Sequence, residues 1–270
     1  MAANKRLAQV WPKVERAKKH VKDLDVEIDR FHLTNPYRVS VERDQDTQKP
    51  VYYVSSAEAI PNIIALIAGD AIQNLMSALD HLAYQLVCAA TSDNPPSPKR
   101  IYFPIDDDAA KYEDKKIKKL QGARQTTIDA IDAIKPYKGG NDLLWVLHQL
   151  NNVEKHRLLL TVGSKFGSVN IAPMIMRDIV TMMTRHLPEG QAVPTFDLFL
   201  NPADVLFPLK VGDQLFVDLP DAEINEKMQF RFDVALSESR IVEARSLMEL
   251  LIQLTKLVEN IISNLAPELA

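Results

Sequence analysis

Residues 60–87 read IPNIIALIAGDAIQNLMSALDHLAYQLV, and the fold turns on how that run is patterned. Across 59–90, Ile60, Ile63, Ile64, Leu66, Ile67, Ile72, Leu75, Leu79, Leu82, Leu86 and Val87 cover most of a helix circumference. A helix apolar nearly all round is a buried helix. Its polar residues form a stripe. At about 100° per residue, Asp70, Asn74, Ser77 and His81 fall within roughly 60° of arc. A buried polar group without a partner costs about 1–3 kcal/mol, so this stripe needs an opposite number.

A second helix, predicted over 141–162, supplies one. His148, Asn152 and Lys155 also fall within roughly 60° of arc, with Asn151 and His156 beside them. Leu143, Leu144, Leu147, Leu150, Val153, Leu158 and Leu159 fill much of the rest. The expectation is that the two stripes face each other, with Asp70 and Lys155 as the charge pair.

The other segments read outward from this pair. Leu7, Val10, Trp11, Val14, Ala17, Val21, Leu24, Ile28 and Phe31 mark an amphipathic helix over 4–33 with a charged, solvated outer face. Pro12 fits near its start, and Asn35-Pro36 ends it. Residues 37–43 alternate, 44–49 form a polar turn and 51–54 are β-rich, so a hairpin is predicted, with Ser55 or Ser56 capping the next helix. After a Ser/Asn/Asp/Pro loop at 91–99, the run 101–105 plugs the bundle in irregular form. Residues 106–119 are a charged, partly helical excursion, and 126–134 are helical up to Lys135-Pro136-Tyr137. Beyond 163 the pattern turns β-rich at 168–174, 195–200, 214–218 and 229–236. The methionines of 178–186 read as core filling. Ser237 or Ser239 opens the last helix, which either closes the bundle or forms a dimer contact.

The chain of 270 residues can bury a large core; 46% hydrophobic and 25% charged residues are ordinary for a soluble globular protein. A net charge of −4 opposes bulk attachment to nucleic acid or an anionic membrane. The single cysteine, Cys88, excludes an intrachain disulfide and a thiolate zinc cluster. No secretory signal is visible, and Asn62, Asp70, Asn74, Asp80 and His81 interrupt the most apolar run, so a cytoplasmic protein off the membrane is expected. The expected fold class is α+β: one domain over 1–270, with a helical core at 56–162, a β-rich segment at 163–236 and a closing helix at 237–270.

Three chemistries compete for the polar residues. Histidine and carboxylate from facing helices can bind metal, but HExxH and paired Glu-x-x-His are both absent, so no metal or cofactor is assigned. Ser77 lies one turn before His81, without a G-x-S-x-G elbow. The plainest reading is a buried polar network that fixes the register of two helices.

The blocks Gly69–Ala83 (GDAIQNLMSALDHLA), Phe103-Pro104-Ile105, Lys135-Pro136-Tyr137 and 144–157 (LWVLHQLNNVEKHR) resemble, in order, the signature of a widespread family of uncharacterised bacterial proteins. That family has no assigned reaction. Its members usually carry arginine in the Asn-Leu-Arg-Ser-Ala-Leu-Asp-His run, giving an Arg-x4-His motif similar to that of HEPN ribonucleases. Those are metal-independent helical enzymes, often dimeric, of toxin and defence systems. Met76 stands here at the arginine position, and methionine cannot bind phosphate.

Two functions follow as expectations. The first is non-catalytic binding of a nucleotide-like ligand or a partner, with Asn74, Ser77, Asp80, His148, Asn151, Asn152, His156 and Arg157 as binding residues. The second is a HEPN-like ribonuclease or an inactive relative, acting on RNA as a homodimer, with His81, Asp70 and Lys155 as the catalytic candidates.

Overall fold

The computed structural model describes residues 2–156, 160–176, 196–220, 222–238 and 240–270. The fold is α+β, helices with two antiparallel sheets, as the pattern predicts. It divides into two compact units that alternate along the chain. One comprises Met1–Arg30, Pro61–Val162 and Leu236–Ala270; the other comprises Phe31–Ile60 and Gly163–Ala235.

The first unit is helical. Its members are α1 (Ala2–Leu33, to Arg30), α2 (Asn62–Ala90), α3 (Ala109–Lys119), α4 (Gln125–Ile134), α5 (Asp142–His156) and α6 (Leu247–Leu265). α2 packs against both α5 and α6, and α5 and α6 also meet. Ile64, Ile72, Leu75, Leu79, Leu82 and Leu86 of α2 have no exposed surface, nor do Leu144, Leu147 and Leu150 of α5 or Leu250, Leu251, Leu254 and Val258 of α6. Burying each such side chain stabilises the fold by about 1.5–3 kcal/mol. α2 is also long and apolar enough to span a membrane by composition, but over half of that window is buried inside the fold.

Helix boundaries follow local chemistry. Asn141 Oδ1 accepts the Leu144 amide at 3.1 Å and so caps the start of α5. α4 stops at Lys135, whose φ of 52° is left-handed. α3 is capped by Asp108, which accepts the Lys111 amide, and its Tyr112 and Lys116 are buried. The charged excursion is therefore a packed helix. Tyr112 and Lys116 both bond Asp132 of α4, the lysine at 2.7 Å.

The second unit carries β1 (Tyr37–Arg43), β2 (Pro50–Ala57) and β5 (Gln214–Val217) in one sheet, ordered β1-β2-β5. The other sheet is ordered β4-β3-β6-β7, with β3 (Val162–Asn170), β4 (Phe199–Leu200), β6 (Phe230–Glu238) and β7 (Val242–Ser246); β7 and the end of β6 belong to the first unit. Tyr52, Val54, Phe166, Val169 and Leu215 centre its core.

Two boundary expectations are corrected. Ser55 and Ser56 are in β2, and α2 starts after Pro61 without a side-chain cap. Ser237 does not open the last helix: it lies in β6, and Ser239 is outside the described residues. Residues 242–246 are β7, and α6 opens at Leu247 with Ser246 before it. Residues 178–186 lie outside the described residues.

Candidate functional site

The expected Asp70–Lys155 pair does not form. Asp70 and Lys155 are both exposed, and no ion pair joins them. The physical reason is register. Gly69 meets α5, where an added Cβ would lie 3.0 Å from Glu154 Cγ. The next residue, Asp70, is about 100° further round and faces solvent. Asn74 spends its side-chain amide on the Asp70 carbonyl at 2.8 Å. The stripe therefore does not press against α5 along its length.

The carboxylate that faces inward is Asp80. Its Oδ1 accepts the Phe103 amide at 3.0 Å, fixing the irregular 101–105 segment against α2. Burial raises its pKa above the ordinary carboxylate value, while the Phe103 amide and the charges of Lys155, His81 and Lys119 pull it down. Lys119 continues the network, donating to the Ile105 carbonyl at 3.0 Å and to Asp106 at 3.2 Å. Asp106 is buried, also pairs with Lys115, and its amide donates to the Pro136 carbonyl at 3.1 Å. The segments 103–105 and 135–137, distant in sequence, thus lock together.

His148 feels the charges of this network without bonding to it. Asn152 donates to its Nε2 at 3.2 Å, and its buried Nδ1 has no partner among the described residues. Burial and the ammonium of Lys119 push its pKa down to about 4, with Asp106 and Asp107 opposing and Lys155 adding to the depression. Asn151 is 2% exposed and its Oδ1 has no partner among the described residues. Asp107 lies beside them, accepting from Gln149 at 3.0 Å and Trp145 at 3.4 Å. The side chain of His156 and all of Arg157 lie outside the described residues.

His81 turns the other way, toward α1, with Nδ1 3.4 Å from the Gln9 carbonyl. It is exposed, as is Tyr84, and Ser77 makes no hydrogen bond among the described residues. Positions 77, 81 and 84 share one helix face. That face floors a cleft of about 500 Å³ between α1, α2 and the turn at Pro98–Arg100. Lys99 and Tyr102 line the opposite wall; Tyr102 is 52% exposed. Gln85 braces α1, donating to Gln9 at 2.8 Å and accepting from Arg6 at 3.1 Å. Arg6 in turn pairs with Asp93 at 2.7 Å.

Sequence reasoning missed Lys99, Tyr84 and Tyr102. Tyr84 was findable as the next turn of the Ser77–His81 face. Lys99 and Tyr102 sit on an irregular segment, where no periodicity marks a facing side chain. Met76 is 5% exposed, within the core, so its position offers nothing to the cleft. Among the described residues no three His, Cys, Asp or Glu side chains converge as a metal site would require.

Comparison with family models, with curated proteins and with solved structures finds no match.

Proposed function

We propose that the cleft over His81 binds a nucleotide-like ligand without transforming it. One observation carries the reading: Ser77, His81 and Tyr84 share an open face opposite Tyr102 and Lys99, in a cleft sized for a small molecule. Exposed phenol rings give a planar base two faces to stack on, worth about 1–3 kcal/mol per base. The imidazole and the Ser77 hydroxyl supply hydrogen bonds to ring nitrogens and exocyclic groups. Lys99 offers a point charge for a phosphate. Asp80 holds the 101–105 segment, and with it Tyr102, in place.

The test is calorimetric titration of the full chain with each of the four ribonucleoside monophosphates, for wild type, His81→Ala and Tyr102→Ala. At least one nucleotide should bind, and Tyr102→Ala should weaken it by about 5- to 150-fold. Absence of binding into the millimolar range, or affinity unchanged in both variants, overturns the proposal.

The resemblance to metal-independent ribonucleases supports a second reading. Its specific observation is that His81, the one residue of that motif present here, is exposed in a cleft that also holds Lys99. RNA incubated without metal should then be cleaved by wild type and not by His81→Ala. A homodimer bringing two such clefts together would favour this reading, and sedimentation measures it.

A further inference from the structure

The second unit contains its own cavity, of about 680 Å³, lined by β1, β2, β6 and by Asn225, Glu226, Met228 and Gln229. Four of its lining residues are aromatic, beside Val39, Val41 and Met228: Tyr37, Phe230 and Phe232 are partly buried and Tyr52 is buried. The rings pair, Tyr37 with Phe232 at 4.5 Å and Tyr52 with Phe230 at 5.7 Å between centroids, and Phe166 joins the pairs, 6.2 Å from Phe230 and 6.3 Å from Phe232. The tyrosine hydroxyls are engaged. Tyr37 donates to Ser164 at 2.7 Å, and Tyr52 accepts the Asn225 amide at 3.0 Å. A visitor therefore meets ring surface beside the polar groups of Ser40, Asn225 and Gln229.

The charge of the lining is one-sided. Among the described residues Glu226 is its single carboxylate, and no lysine, arginine or histidine lines it; Lys227, next in the chain, is exposed outside the lining. Ring faces carry negative potential and attract cations, and do so more strongly where water is excluded. An anion would meet the Glu226 carboxylate and, among the described lining residues, no positive side chain.

We propose that this cavity binds a small organic cation, an amine or quaternary ammonium with an apolar body, its charge shared between the aromatic rings and Glu226. The volume suits a compact molecule rather than a polymer segment. The site shares no residue with the cleft over His81, so the two proposals stand or fall separately.

The probe is benzyltrimethylammonium, with benzyl alcohol as its neutral counterpart and benzoate as the anion. Binding is followed on the full chain by calorimetry and by amide chemical shifts. The cation should bind more tightly than the alcohol, benzoate should not bind, and the shifts should centre on β1, β6 and 225–229. Glu226→Gln should weaken the cation by about tenfold and leave the alcohol unchanged. Ser40→Phe, which adds a ring at the cavity wall, should abolish binding while unfolding with the wild-type midpoint. Failure of the cation to bind into the millimolar range overturns the proposal. So does equal affinity for all three probes, an unchanged affinity in Glu226→Gln, or shifts elsewhere.

Discussion

His148 should make the helical unit acid-sensitive. The imidazole titrates near 6.5 in an unfolded chain and is pushed down to about 4 in the fold, by burial first and then by Lys119. Between those values the unfolded chain holds a proton that the folded protein refuses. Stability is therefore complete above pH 6.5 and is lost as pH falls toward 4. The full span of about 2.5 pKa units corresponds to about 3 kcal/mol, and about 2 kcal/mol of it is gone by pH 5. Geometry gives the same sign. Nε2 already accepts from Asn152, so a second proton would have to displace that bond and place a charge among buried groups near Lys119 and Lys155.

The assay is urea denaturation at pH 7 and pH 5 for wild type and His148→Gln. The variant retains an acceptor for Asn152 and cannot titrate. The chain has six histidines, so the quantity to compare is the difference of differences. Wild type should lose about 2 kcal/mol more than the variant between the two pH values. Identical losses would refute the reasoning, as would a His148 resonance that titrates near 6.5 in the folded protein.

Other expectations follow from single contacts. Asp80 has the opposite pH sign: its carboxyl is raised, mainly by burial, so the folded state takes up its proton first and its contribution grows more favourable as pH falls. Asp80→Asn keeps an acceptor for the Phe103 amide and should lie within about 1 kcal/mol of wild type at neutral pH, whereas Asp80→Ala should lose about 1–3 kcal/mol in denaturant titration. Gly163→Ala places a Cβ 2.8 Å from the Phe207 ring and should cost about 1–3 kcal/mol by thermal unfolding. Gly69→Ala meets only the Glu154 side chain, at 3.0 Å, and gains helix propensity worth about 1 kcal/mol, so its net change should be small. Leu79→Ala, wholly buried in α2, should cost about 2–5 kcal/mol.

Periodicity made most of the fold legible. The apolar steps along α1, α2, α5 and α6 report which face is buried, because a 3.6-residue repeat leaves one continuous stripe for the core. The β1–β2 hairpin was equally plain, since alternation and a polar turn occur together there. β7 was hidden for a physical reason. Ile241, Ala244 and Leu247 step by three, so a strand running directly into α6 continues the helix pattern backwards. The start of α2 was misplaced because serine is as comfortable at a strand end as at a cap.

The site was only half legible, and the missing half is a matter of angle rather than identity. A stripe of four polar residues spanning roughly 60° looks like one surface in sequence, yet a helix packed on two sides divides such an arc between neighbours. Asp80 lies about 100° before His81 and points to the 101–105 segment, while His81 points to Gln9. One turn of α2 thus serves a buried network on one side and an open cleft on the other. Because Asp80 both lines the cleft and holds the Phe103 amide, the two are mechanically joined. The discriminating comparison is between Asp80→Ala and Lys99→Ala in nucleotide titrations. If Asp80 acts by positioning Tyr102, its alanine variant should lose affinity for nucleoside and nucleotide alike, because stacking is lost. Lys99→Ala should weaken only the nucleotide, because the charge contact is to phosphate. Equal behaviour of the two variants toward both ligands would separate the network from the cleft and leave Asp80 with a purely structural role.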